Sequence, residues 1–177
     1  MSETPPTRPL VNIADIELPP RPAAFAAKGD AAATFDARMG MIAPRIGARL
    51  LGYNITAVAP GMRAFPRHNH RVNEEMFFVL EGSGELRVGG QTHAVRSGDV
   101  IACPPGGPET AHQLVNTGDT ELRYLAVSTK LSPEICEYPD SGKFGIMAEL
   151  GTDANGQPKM FRHIGRPEDA HDYWEGE

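Results

Sequence analysis

The stretch G-M-R-A-F-P-R-H-N-H-R-V-N-E-E-M-F-F-V-L-E-G, Gly61 to Gly82, decides how the rest of the chain is read. It carries His68 and His70, one residue apart, and then Glu75 at the start of an apolar run from Met76 to Leu80. On an extended strand side chains repeat every second residue, so both imidazoles of H-x-H project to one side. A third histidine, His112, opens a later apolar segment. Three imidazoles and one carboxylate suit iron, manganese, nickel, zinc or copper without choosing among them. Such a set leaves one or two positions open for water or substrate, as a catalytic centre requires. The competing possibility is a pair of loop histidines beside a proline-rich turn, with Glu75 paired to an arginine.

Strand signals spread outward from this stretch. Leu51, Tyr53, Ile55 and Ala57 alternate with Gly52, Asn54, Thr56 and Val58, a period of two that predicts a strand ended by Pro60-Gly61. Glu75 to Leu80 predicts a second strand, stopped by Gly82 and Gly84. Glu85 to Val88 and Gln91 to Val95 flank Gly89-Gly90, a two-residue hairpin signal. Further strands are predicted at Val100 to Cys103, His112 to Asn116 and Leu122 to Ser128, with a Pro/Gly loop at Pro104 to Pro108. Short strands at regular spacing indicate an antiparallel barrel or sandwich.

Composition agrees. The 177 residues include 19 glycines and 16 prolines, which favours turns and short strands over a helical bundle. The net charge of −6 argues against a nucleic-acid surface. No apolar stretch approaches the ~20 residues of a membrane helix, and the polar start carries no signal-peptide pattern. A cytoplasmic location is expected, with Cys103 and Cys136 as free thiols. Residues 1–44 are expected as an N-terminal arm, its first part extended by prolines and its alanine-rich part, Ala23 to Arg38, forming a helical turn or two. The barrel is assigned to residues 45–129, and residues 130–177 to a C-terminal extension wrapping it.

Gly61 to Gly82 resembles the first motif of the cupin superfamily: glycine, H-x-H, glutamate, then six residues and a glycine. The segment G-D-V-I-A-C-P-P-G-G-P-E-T-A-H-Q-L-V-N, Gly98 to Asn116, resembles the second, with P-x-G at Pro104–Gly106. The resemblance implies an all-β, single-domain double-stranded β-helix, or jelly-roll barrel. It also implies a divalent transition metal (iron, zinc, manganese or nickel) held by His68, His70, Glu75 and His112. Glu75 is preferred to Glu74 because six residues separate it from Gly82. Two departures stand out. Six residues rather than five separate Gly61 from His68, and five rather than two separate Gly106 from His112. The longer second loop leaves the placement of His112 open.

Several side chains compete for roles around such a centre. Phe65, Phe77, Val79, Leu114 and Tyr53 are candidate pocket walls, although core packing explains most of them equally well. Arg63 and Arg67 are candidate anion contacts or solvated rim charges. Glu74, Tyr53 and Tyr124 are the available general bases, none singled out. Lys143, in the turn after Tyr138, could close over the mouth or be ordinary surface. The only tryptophan, Trp174, is expected to pack on the domain or on a partner chain. The expected function is a metal-dependent enzyme acting on a small organic molecule, dioxygenase-like or sugar-phosphate-isomerase-like. A non-catalytic binding or sensing module is the alternative. The cupin resemblance further implies a homodimer.

Overall fold

The computed structural model describes residues 8–154, 156 and 158–177; residues 1–7 of the expected arm lie outside that set. In chain order the strands are β1 (Arg38–Met41), β2 (Leu51–Val58), β3 (Asn69–His70), β4 (Glu75–Glu81), β5 (Ser83–Val88) and β6 (Gln91–Arg96). They continue with β7 (Val100–Cys103), β8 (His112–Val115), β9 (Leu122–Thr129), β10 (Glu134–Tyr138), β11 (Lys143–Thr152) and β12 (Pro158–Gly165). Helical structure is limited to α1 (Ala43–Ile46) and short 3-10 turns. No helix among the described residues is long and apolar enough to cross a membrane.

The fold is an all-β double-stranded β-helix built from antiparallel ladders. One sheet runs β1-β2-β9-β4-β7, a second β6-β5-β8 and a third β12-β11-β10-β3. Among the described residues these ladders do not close into a barrel. The second and third sheets are instead joined by an isolated bridge between His68 and His112. Its two backbone hydrogen bonds are reciprocal, His68 N to His112 O at 3.1 Å and His112 N to His68 O at 2.8 Å. The result is two facing layers with the apolar core between them.

Alternation explains which residues fill that core. Phe77 and Val79 of β4 and Leu122, Tyr124 and Ala126 of β9 point inward, together with Leu86, Val95, Ile101 and Leu114. Arg123, on the opposite side of β9 from Tyr124, pairs outward with Glu81. In β2 the last four residues are buried on both faces. A second apolar cluster accounts for this: Ile16 and Ile42, with Val11, Leu18 and Ile46 beside them, pack over Ile55, Tyr53 and Leu125. The N-terminal segment therefore covers the outer face of the five-stranded sheet.

Several expectations are revised by these elements. The alanine-rich stretch forms a turn at 23–25 and a 3-10 turn at Gly29–Ala33, and Arg38 begins a strand. Gly29 interrupts the run and Ala31, Ala32 and Ala33 are exposed, so no apolar face stabilises a longer helix. The segment after residue 130, read as a wrapping tail, contains three strands, with β10 hydrogen-bonded to β3. Both cysteines are free and buried. Burial and the nearby Glu75 push the Cys103 thiol up to about 12, so it stays protonated at neutral pH. Trp174 does not pack on the domain: it is 73% exposed and touches its neighbour Tyr173 edge-on.

Gly82 marks the tightest corner between the layers. Its φ of +80° is a backbone state that side chains rarely adopt, and an added Cβ would run into the Glu121 carbonyl. Gly82→Ala is expected to destabilise the protein by roughly 1–3 kcal/mol. A shift of the urea midpoint without a change in slope would register this. An unshifted midpoint would show that the corner relaxes freely.

Candidate metal centre

Three segments of the chain aim four side chains at a common point. His68 precedes β3 and His70 lies in it, Glu75 opens β4 in the opposite layer, and His112 opens β8. Their ligand-type atoms all lie within 4.8 Å of one another. The Glu75 carboxylate oxygen Oε2 stands 3.1 Å from His112 Nε2, 3.3 Å from His70 Nε2 and 3.8 Å from His68 Nε2. Donors arranged about 2.0–2.2 Å from one ion are separated by roughly 3–3.6 Å, so this spread matches a shared centre.

The outer ring nitrogens tell the same story. His68 Nδ1 is 2.9 Å from the Pro66 carbonyl and His112 Nδ1 is 3.3 Å from the Thr110 carbonyl. His70 Nδ1 is 3.3 Å from Cys136 Sγ and 3.5 Å from the Glu134 carboxylate. Each imidazole thus has an acceptor on the far side that can take an Nδ1–H and holds Nε2 facing inward, where His112 Nε2 donates to Glu75 Oε2 at 3.1 Å. His70 Nε2 is buried with no hydrogen-bond partner of acceptable direction, despite the nearby carboxylate. Once deprotonated, an Nε2 so placed directs its lone pair at the common point rather than at a neighbouring atom.

Electrostatics separate the three histidines. Burial and the adjacent His112 push His68 down to about 4, so it is neutral at physiological pH. Burial also works against charge on His70, but hydrogen bonding to Cys136 and Glu75 outweighs it and pushes that group up to about 10. Burial alone would raise Glu75; hydrogen bonds from His112 and His70 reverse this and hold it well below the usual carboxylate range. In the protein alone a His70 proton balances the Glu75 charge, a role a bound cation would take over with release of that proton.

The long second loop is stitched down rather than loose. A 3-10 turn at Pro108–Thr110 takes up the additional residues. Gly106 N donates to His70 O at 2.8 Å, and buried Asn69 donates through Nδ2 to Gly106 O at 2.9 Å and to Glu137 Oε2 at 2.8 Å. These bonds return the chain to the bridge at His112. Glu74 is exposed and faces away from the cluster, in agreement with the preference for Glu75.

Other candidates separate by position. Phe77 lies 5.7 Å from the His112 ring, and with Phe65, Leu114 and Tyr124 it lines a hollow of ≈ 20 Å³ over His68 and His112. That is room for about one water molecule. Val79 belongs to the apolar core, and Tyr53 to the outer cluster on the far side of the sheet. Burial pushes Tyr124 far above the ordinary phenol range, which removes it as a base at neutral pH. Tyr53 and Glu74 do not face the cluster, so none of the three sequence candidates supplies a general base there.

Sequence reasoning missed Glu134, Cys136 and Tyr138, all on β10. Tyr138 stacks on His68 with ring centroids 6.2 Å apart. Cys136 is the cross-strand partner of His70. Glu134, buried in a segment of little apparent pattern, accepts backbone N–H bonds from Arg71, Val72, Asn73 and Ile135 at 2.8–3.2 Å. It also accepts from the Asn73 side chain. Only the alternation Glu134, Cys136, Tyr138 hinted at a strand whose inner side reaches the histidines.

Comparisons with known proteins agree with this architecture. The cupin-domain family model matches residues 54–128. A sugar phosphate isomerase from a cupin superfamily, from Silicibacter pomeroyi, superposes with a TM-score of 0.72 at 24% identity, covering 92% of this chain and 95% of that one. The chain thus carries a segment that matches the cupin domain, within a fold shared with cupin structures. Among curated relatives, an uncharacterized protein of Methanocaldococcus jannaschii is 34% identical over 72 residues, 41% of this chain and 48% of that protein. The polyketide synthase CurC of Streptomyces cyaneus is 28% identical over 115 residues, 64% of this chain and 70% of that protein. The chain thus spans about half the length of the first of these relatives.

Because Glu134 both secures residues 71–73 and flanks His70, Glu134→Gln is expected to lower stability by about 2–3 kcal/mol. Chemical denaturation measures that loss. A variant as stable as the parent would show that the four backbone donors find other acceptors.

Proposed function

We propose that this cupin is a metal-dependent enzyme acting on a small organic molecule, with His68, His70, Glu75 and His112 holding one divalent transition ion. The observation that carries this reading is the paired orientation of each imidazole: acceptors behind Nδ1, and Nε2 converging with Glu75 on one point. Four ligands leave one or two coordination positions for water or substrate. A bound ion would supply Lewis-acid polarisation of a carbonyl or hydroxyl oxygen, or a site for oxygen chemistry if it is iron. The chain's own part is to fix the ligand geometry and to keep the surroundings dry through Phe77, Leu114 and Tyr124. Tyr138, over the His68 ring, is a phenol whose proton is retained more firmly than usual because it is partly buried, and it can donate a hydrogen bond at the centre's edge.

A second reading, a non-catalytic binding or sensing cupin, draws on the tightness of the ≈ 20 Å³ hollow beside the ligands. The two readings part on turnover. Elemental analysis of protein purified without added metal is expected to give about one transition ion per chain. His68→Ala and His112→Ala are expected to cut occupancy at least about tenfold, since second partners cannot replace a lost ligand, while circular dichroism stays unchanged. Full occupancy in both variants would remove the proposed centre. Turnover is then screened by oxygen consumption with phenols, diketones and thiols, and by aldose–ketose interconversion. Metal without turnover, joined to thermal stabilisation by a single metabolite, would favour the sensing module.

We also propose a homodimer. The β11–β12 hairpin exposes Met147, Leu150, Met160, Phe161 and Ile164, and β12 is a sheet edge. An antiparallel edge can pair with a copy of itself across a two-fold axis, burying such residues. Light scattering is expected to return twice the chain mass, and a Phe161→Lys variant a single chain mass. A monomeric parent would reject the contact.

A further inference from the structure

A cavity of ≈ 440 Å³ opens between the N-terminal segment and the turn that joins β10 to β11. The arm supplies one wall through Phe25, Ala31 and Phe35. The arm is fixed there by backbone pairing at Arg63, whose N–H donates to Thr34 O at 3.0 Å and whose carbonyl accepts from Asp36 N at 3.1 Å. The opposite wall includes Tyr138, which stacks on His68. Pro66 and Gln113 line both this cavity and the small hollow over His68 and His112. The volume falls in the range that takes a small molecule, which the inner hollow does not.

The charge lining this cavity runs opposite to that of the whole chain. The protein carries a net charge of −6, yet Arg21, Arg63, Arg67, Arg87 and Lys143 line the space with a single carboxylate, Asp140. That carboxylate is shared: it lies 2.9 Å from Arg67 Nε and 3.5 Å from Arg87 Nη1. Among the described residues Arg21, Arg63 and Lys143 form no ion pair. Arg63 Nε is also buried without a hydrogen-bond partner, a donor whose desolvation nothing on the protein offsets. Arg21 is held in place, donating to Ala64 O at 2.7 Å with its guanidinium over the Phe65 ring at 4.7 Å. Arg87 is likewise braced by Gln113 Oε1 at 2.7 Å.

Like charges gathered in one partly enclosed space repel, and the arrangement is stable against that cost when an anion occupies it. The cations come from the arm, the loop before β3, β5 and β11, so they approach from several directions rather than as one planar fork. A tetrahedral dianion meets donors from several directions, whereas a carboxylate suits a single bidentate guanidinium. We propose that this cavity seats the phosphoryl group of a small phosphorylated ligand. Its organic part occupies the remaining volume toward Pro66, Gln113 and Tyr138. Resting on the metal-enzyme reading, that ligand is the substrate of the adjacent centre. The N-terminal arm then belongs to the site as one of its walls.

The test is calorimetric titration of the full chain with inorganic phosphate, with glucose 6-phosphate and with glucose. Succinate serves as a carboxylate control. Phosphate and glucose 6-phosphate are expected to bind, and glucose and succinate to bind at least tenfold more weakly. Arg63→Gln and the exposed Lys143→Gln are each expected to weaken phosphate about tenfold, equivalent to roughly 1.4 kcal/mol. Lys143 sits at the start of β11 on the surface, so its variant reads the site even if Arg63→Gln fails to fold. His68→Ala, which empties the proposed metal centre, is expected to leave phosphate affinity unchanged. Phosphate binding by a parent chain that elemental analysis finds to hold no transition ion would uphold this site while the metal reading fails. Absent phosphate binding, affinity unaltered by Lys143→Gln, or loss of binding only in His68→Ala would each overturn it.

Discussion

The pair of backbone hydrogen bonds between His68 and His112 is the join on which the molecule depends. It is the only pairing among the described residues that links the β6-β5-β8 ladder to the ladder carrying β3 and β10. It also makes two ligand-type side chains direct cross-strand neighbours, with ring centroids 4.8 Å apart. Side chains opposite one another in an antiparallel pair have no choice but proximity. The same contact that assembles the layer therefore assembles half of the candidate centre.

What faces that half is supplied by alternation. Glu75 begins β4 in the other layer, and Phe77 and Val79 follow it inward at every second position. The carboxylate is thus carried into an apolar setting, where its charge is met by the His70 proton and a hydrogen bond from His112. Behind each imidazole stands an acceptor drawn from a different part of the chain: Pro66, Thr110 and the β10 residues Cys136 and Glu134. Orientation of the rings is a property of these outer contacts as much as of the ligands. Packing of the inner core keeps the space beside them to ≈ 20 Å³, against ≈ 440 Å³ in the cation-lined cavity outside.

The terminal segments do more than pad the domain. Ile16, Ile42 and their neighbours bury the outer face of β2, so a strand that would otherwise be half-solvated is covered on both sides. The same N-terminal segment, continued through Phe25 and Phe35, walls the outer cavity. At the other end β10 runs beside β3, and the turn after it brings Tyr138, Asp140 and Lys143 to the opposite wall. Residues on either side of the family segment thus meet over its open end.

Local order was written plainly in the residues. The period of two in Leu51–Val58, the apolar run Glu75–Leu80, the Gly89-Gly90 hairpin and the turn glycines yield the strands of the family segment nearly end for end. H-x-H spacing with a glutamate and a later histidine is sufficient to name His68, His70, Glu75 and His112, because each motif is compact and its residue types have few other uses together. Strands β10 to β12 were illegible for an opposite reason. Their outer faces are largely exposed and mix apolar with charged residues, so no alternation separates inside from outside. Glu134, Cys136 and Arg63 gain their meaning only from partners far along the chain, at His70, Asn73 and Thr34. The sequence by itself determined the strand pattern and the identity of the four converging side chains. Tertiary structure decided how the imidazoles are turned, which bases are excluded and where the cations gather. Those are relations among distant segments, and no local periodicity encodes them.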